Sequence, residues 1–295
     1  MPVCSDPGQP IGLALGAALL FALGIQFSHL GLRHLNSSLG TLITIATAAA
    51  LYWLATPWYL QSAYWFTGAA VLFAVLGIFR PALSANLAMA GTARLGPTIS
   101  STLSATSPFF GLLLGVLILG ESVSLVLIGG TAAIVLGVIT LSSGRGLGGP
   151  DQWPLWALGL PIAAAVIRVL AHVFTKIGMT EVPSPMFAGL MAYTVSTVIA
   201  LWVARRDATA IGPALRSEGA RWFVLVGVCY AGAIFCLNTA LACGDVVVIA
   251  PITAAQPVFA MILGLTIFKE RRFSFRLLVA VGLVVLGVVT IAVHR

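Results

Sequence analysis

The sequence predicts an all-α integral membrane protein in which ten transmembrane helices form two inverted five-helix repeats. Three features predict it. Of the 295 residues, 60% are hydrophobic and only 8% are charged, against about 25% charged in a soluble domain, and the mean hydropathy is +1.08. Apolar runs of about 20 residues follow one another almost without pause, each long enough to cross roughly 30 Å of hydrocarbon as a helix. Runs such as LLVAVGLVVLGVVTIAV do not alternate as the strands of a membrane barrel must. The third feature is that the second half of the chain repeats the first.

In chain order the helices are expected at roughly 11–32, 37–56, 64–92, 97–119 and 125–141, and again at roughly 155–178, 185–204, 222–243, 246–268 and 275–293. The opening MPVCSDPGQP has no basic region and no clear cleavage site follows, so the first run reads as a retained span. The first helix carries Gln26. The third, FAVLGIFRPALSANLAMA, carries Arg80 near its centre and Asn86 beyond. The fourth has Pro108 within it and closes on Glu121.

The division between halves is the Gly-rich stretch SSGRGLGGP from Ser142 to Pro150, which gives a first repeat over 1–141, a linker over 142–154 and a second repeat over 155–295. No strand precedes this stretch and no Gly-Lys-Ser/Thr follows, so it lacks what makes glycine loops cradle phosphate and reads as a flexible linker.

The sixth helix, LPIAAAVIRVLAHVFTKIG, places Arg168 near its centre and His172 one turn on, on the same face. The eighth carries Asn238 together with Cys229, Cys236 and Cys243. These cysteines are spaced by seven, about 10 Å per step along a helix. They cannot bridge one another or share a metal, and are expected to pack as small apolar residues. The ninth helix holds Gln256 and Pro257 and ends at Glu270.

Shifting the chain by 149 residues lays SPFFGLLLGVLILGE, ending at Glu121, on QPVFAMILGLTIFKE, ending at Glu270, with Pro108 on Pro257. One extra residue later LGVIT (Leu136 to Thr140) falls on LGVVT (Leu286 to Thr290), and more weakly SHLGLR matches AHVFTK. An odd number of spans per repeat turns the second half upside down. That is the plan of many secondary transporters, whose substrate site lies near the midplane between repeats.

The stretch ALACGDVVVIAPITAAQPVFAMILGLTIFKE, from Ala240 to Glu270, has an Ala-rich helix end, a tight turn, a proline and a closing glutamate. In these residues, and over nearly the whole chain, the sequence resembles the drug/metabolite transporter superfamily, EamA type. The first-half copy departs from the pattern, with Ser107 where the second has Gln256. The resemblance implies a ten-helix bundle that exports, or less often imports, small metabolites by alternating access. Its cavity would be lined mainly by the first, third, fourth, sixth, eighth and ninth helices, and both termini would be cytoplasmic.

An arginine within a span costs roughly 2.5 to 3.5 kcal/mol on the insertion scale, so such residues normally face a cavity and mark a substrate path. Arg168 and Arg80 are therefore the leading substrate-binding candidates, against a structural role held by carbonyls freed near Pro81 or Pro161. All eight carboxylates fall in predicted tails, loops or span ends. An exporter of lipophilic cations wants an intramembrane acid, whereas an unpaired guanidinium suits a carboxylate or phosphate.

His172 is the one titratable partner expected in the cavity. Gln26, Asn86, Asn238 and Gln256 could orient a substrate or join helices. Pro108 and Pro257, read as mid-helix prolines that free a carbonyl, are candidate gating hinges or kinks. No catalytic motif and no cofactor or metal site is found.

The expected function is a secondary transporter, an exporter in a bacterial-type inner membrane, of a small anionic or zwitterionic metabolite such as an amino acid or organic acid. It would work as a monomer or homodimer, with the bilayer and the substrate as its partners. The competing readings are a multidrug or cationic-compound exporter, a flippase and a membrane scaffold. The net charge of +7 needs no nucleic acid, since the basic residues lie in short loops. Eleven of them, from Arg33 to Arg276, fall on the side away from the termini and only Lys176 and Arg295 on the other. This asymmetry puts both termini outside, opposite to the family's usual orientation.

Overall fold

The computed structural model describes residues 8–142, 155–204, 208–266 and 275–293, and every regular element in them is helical. The helices are α1 (Gln9–Gly31), α2 (Ser37–Tyr59), α3 (Gly68–Ile78), α4 (Ser84–Ser104), α5 (Ser107–Leu119), α6 (Leu125–Ser142), α7 (Gly159–Glu181), α8 (Pro185–Ala204), α9 (Ala208–Arg216), α10 (Glu218–Cys243), α11 (Val246–Thr253), α12 (Gln256–Thr266) and α13 (Phe275–Val293). Six helical stretches are long and apolar enough to cross a membrane, and four shorter apolar ones lie at Gly68–Ile78, Ser107–Leu119, Leu125–Thr140 and Leu278–Val293. The chain is a multi-pass membrane protein. Side chains such as Trp58, Val71, Leu117, Trp202 and Leu286 are exposed on the surface, where a bilayer makes apolar exposure favourable.

Polar side chains mark where helices begin. Asn36 accepts a hydrogen bond from Leu39 N–H ahead of α2, Thr67 from Ala70 N–H ahead of α3, and Ser217 from Ala220 N–H ahead of α10. α5 ends on Gly120 at φ 66°, with Glu121 N–H donating to Gly115 O and Gly120 N–H to Val116 O. Glycine adopts this left-handed conformation without a Cβ penalty, and the turn delivers Glu121 inward.

Three expected helices differ. The third was expected unbroken over 64–92; instead α3 stops at Ile78, Arg80 is extended (φ −134°, ψ 131°), and the chain becomes helical again toward α4. The cause is local: Arg80 precedes Pro81, and the residue before a proline is pushed out of the helical region. The expected boundary between the third and fourth helices at 93–96 is absent, because α4 runs through it to Ser104. The fourth and ninth helices are each interrupted, at 105–106 and at 254–255, positions that the 149-residue shift superimposes. A short helix, α9, occupies a stretch expected to be a loop. The Gly-rich linker from residue 143 onward lies outside the described residues, as does Glu270.

Helix pairing follows the repeat. α1 packs on α10 much as its repeat mate α7 packs on α3 and α4, and α1 packs on α12 as α7 packs on α5. The mates α6 and α13 pack directly on each other. A Cβ on Gly287 would come within 2.5 Å of Gly130 O, and one on Gly137 within 2.9 Å of Ala280 O, so these helices cross antiparallel at small residues. α5 and α11 are antiparallel too, with Gly111 against Ala250 and Gly115 against Val247.

Candidate functional site

The break between α3 and α4 builds the site. Where the helix opens, Gly77 O loses its helical donor because Pro81 has no N–H, and a bare carbonyl is costly in hydrocarbon. The fully buried Ser196 of α8 meets it, its one hydroxyl proton shared between Gly77 O at 2.7 Å and Arg80 O at 3.0 Å. The break is thereby fixed with the Arg80 side chain on the wall of a cavity enclosing about 660 Å³ of empty space, part of it open to the outside.

The wall is drawn from α1 (Phe21), α3 (Phe73, Leu76), α7 (Ala171, Thr175), α8 (Ala188, Ala192, Tyr193) and α10 (Tyr230, Ile234, Asn238), with Arg80 at the break. The seventh predicted helix, α8, thus contributes, while the fourth and the ninth supply none of these lining residues, which departs from the lining implied by the family resemblance. The aromatic side of the wall is braced. Phe21 meets Tyr230 edge-on at 5.5 Å, and Tyr193 stacks on Tyr52 at 5.7 Å. Tyr52 itself donates to Ala231 O at 2.9 Å, joining α2 to α10.

Arg168 sits at the middle of α7, half-buried, and is an electrostatic neighbour of Arg80, but it does not line this cavity. His172, also off the wall, is buried and within the field of both arginines, and its Nδ1 has no hydrogen-bond partner among the described residues. Among the described residues the ion pairs are those of Lys176 with Glu121 and Asp245, so neither guanidinium has a carboxylate partner.

The remaining sequence candidates divide. Asn238 lines the cavity while donating to Pro185 O at 3.2 Å. Gln26 is buried and donates to Ala260 O at 2.5 Å, which ties α1 to α12 away from the wall. Gln256 begins α12 off the wall, and the side chain of Asn86 lies outside the described residues. Pro108 and Pro257 are not mid-helix. Each is the second residue of a helix restarting after the two-residue interruption, a position where a missing N–H costs nothing. Cys243, expected as plain apolar packing, is disulfide-bonded, while Cys229 and Cys236 are free. It stands at the very end of α10, not inside it.

A second polar cluster closes the end of the bundle where α7 and α10 finish. Glu121, its side chain 5% exposed, lies 2.6 Å from Lys176 Nζ and accepts from Val246 N–H and Val247 N–H, both at 2.9 Å. It therefore caps α11 with a carboxylate, where the helix dipole favours one. Lys176 also donates to Gly244 O at 2.9 Å and to Asp245 at 3.2 Å. At the same end Glu181 accepts from Gly68 N–H and Ala69 N–H, capping α3. Sequence reading placed Glu121 at a span end with helix-terminus contacts; it missed Ser196, which carries no motif.

A family model, that of the EamA-like transporter family, matches residues 9–143 and again residues 155–293. No curated protein matches the chain. A solved structure described only as the crystal structure of a protein shares the fold, with a TM-score of 0.81 at 16% identity over 97% of this chain and 96% of that one.

Proposed function

Since the chain belongs to the EamA-like transporter family, we propose that it is a secondary transporter of a small anionic or zwitterionic metabolite, an exporter in a bacterial-type inner membrane. Its ten spans form two inverted repeats that expose the cavity to each side in turn. The antiparallel crossing of α6 with its mate α13 supports the inversion, since repeat mates that meet antiparallel are related by an axis in the membrane plane.

The observation that carries the substrate reading is Arg80: a guanidinium on a cavity wall, without a carboxylate partner among the described residues. Left empty, such a group is costly inside a membrane protein; a substrate carboxylate meets it with a two-pronged hydrogen bond. The acids among the described residues, Glu121, Glu181, Glu218 and Asp245, all stand at helix ends, so the wall offers no counter-charge to a cationic drug.

Counterflow in proteoliposomes with labelled amino and organic acids tests the reading. At least one acid should exchange, with Arg80→Gln lowering its apparent affinity about tenfold or more, the worth of a charge-assisted pair. Exchange of lipophilic cations alone would establish the opposite charge preference.

A further inference from the structure

The cavity wall is uneven in its chemistry. Three of its neutral polar groups are already engaged with protein: Thr175 donates to Ala171 O at 2.6 Å, Asn238 to Pro185 O at 3.2 Å and Tyr193 to Tyr230 O at 3.4 Å. Among the described residues the one charged group on the wall is Arg80, and around it stand Phe21, Phe73, Leu76, Tyr230 and Ile234.

A zwitterion asks for two things here, a cation for its carboxylate and an anion for its ammonium. The site supplies the first only. Among the described residues no carboxylate lines the wall, and the nearby Arg168 and Arg80 together make the potential positive. The Asn238 side-chain oxygen is a neutral acceptor, which does not offset burying an ammonium beside two guanidinium groups. A dianion fares poorly for the converse reason: one accessible guanidinium and an apolar wall leave its second charge without a partner.

Resting on the transport reading above, we propose that the cavity selects a monocarboxylate with a compact apolar body, such as an aryl-alkanoate, over the amino acid of the same shape. The carboxylate takes both prongs of Arg80, and the body packs between the Phe21 and Tyr230 rings and the Phe73 and Ile234 side chains.

The experiment measures melting of the purified chain in lipid nanodiscs against 3-phenylpropanoate, phenylalanine, phenethylamine, succinate and decanoate at neutral pH. It is run on wild type, Arg80→Gln and Arg80→Lys. Phenylpropanoate should stabilise the wild type with an apparent affinity about tenfold or more above that of phenylalanine, and succinate and phenethylamine should have no effect. Arg80→Gln should abolish the response and Arg80→Lys retain part of it. Equal or better stabilisation by phenylalanine overturns the inference and leaves the transport reading standing. A stronger response to decanoate overturns the compact body and assigns the site to free fatty acid. Should Arg80→Gln not fold, the wild-type ranking and Arg80→Lys decide alone. If no carboxylate shifts the melting point of the wild type, this inference falls, and the counterflow assay then determines separately whether the anion reading falls with it.

Discussion

Glu121 and Lys176 lie 2.6 Å apart and belong to different repeats, and the same carboxylate holds the first two N–H groups of α11. The pair therefore joins the end of α5, the body of α7 and the turn between α10 and α11. Glu121→Gln breaks this pair and weakens the cap on α11 at once, while Lys176 keeps Asp245 and Gly244 O, so it should lower stability by about 1 to 3 kcal/mol. Lys176→Met should cost less, because Glu121 keeps both backbone donors and its place at the N-terminus of α11. Thermal unfolding of the two variants checks the order; an unchanged melting point in Glu121→Gln would show that the contact contributes nothing.

Ser196 should matter more than a lone serine in an apolar helix suggests. Ser196→Ala strips the hydroxyl from Gly77 O and Arg80 O, a loss of about 1 to 3 kcal/mol for buried carbonyls left unmet. Because the break positions Arg80, the variant should also weaken anion binding, whereas Ser28→Ala, whose hydroxyl bonds within its own helix to Gly24 O, should do less to stability. Melting and ligand titration on both variants test this, and a binding loss confined to Ser28→Ala would refute it.

Much of this arrangement was legible and part of it was not. Six apolar helices long enough to cross a membrane followed from hydropathy, and the repeat from residue matches, which the family model meets twice along the chain. The break at Arg80 was present in the sequence as a residue before proline, a steric rule that acts within two residues. Its repair by Ser196 was not, since the hydroxyl comes from more than a hundred positions away and serine in a membrane helix has many uses. α9 was missed because its nine residues include Gly212 and Pro213, which argue for a loop, and its polar face makes no span-like signal. The placement of Gln26 against α12, and not on the cavity, is likewise a property of packing between distant helices.

The α6–α13 contact predicts a sharp contrast between two glycines five residues apart. Gly287→Ala places a methyl within 2.5 Å of Gly130 O and 2.7 Å of Ile134, so the helices must separate, at a cost of about 1 to 3 kcal/mol. Gly282→Ala meets nothing within 4 Å and should be neutral or slightly stabilising through helix propensity. Comparing their melting points isolates close approach from loss of glycine flexibility. Equal effects would mean that α6 and α13 do not touch there.

Orientation can be read from two independent properties of the chain. The sequence assigns eleven basic residues to the side away from the termini, the side that the positive-inside rule places in the cytoplasm. Cys243, disulfide-bonded, lies at the opposite end, beside the turn that Lys176 holds, and disulfides persist in oxidising compartments. Both properties predict termini on the outside. Ser62, exposed after α2, and Ser38, exposed at its start, mark the two ends. A cysteine introduced at Ser62 should react with a membrane-impermeant maleimide in intact cells, and one at Ser38 only after permeabilisation. The reverse pattern would place the termini in the cytoplasm, and the basic face would then be held outside against the charge rule by something other than loop charge.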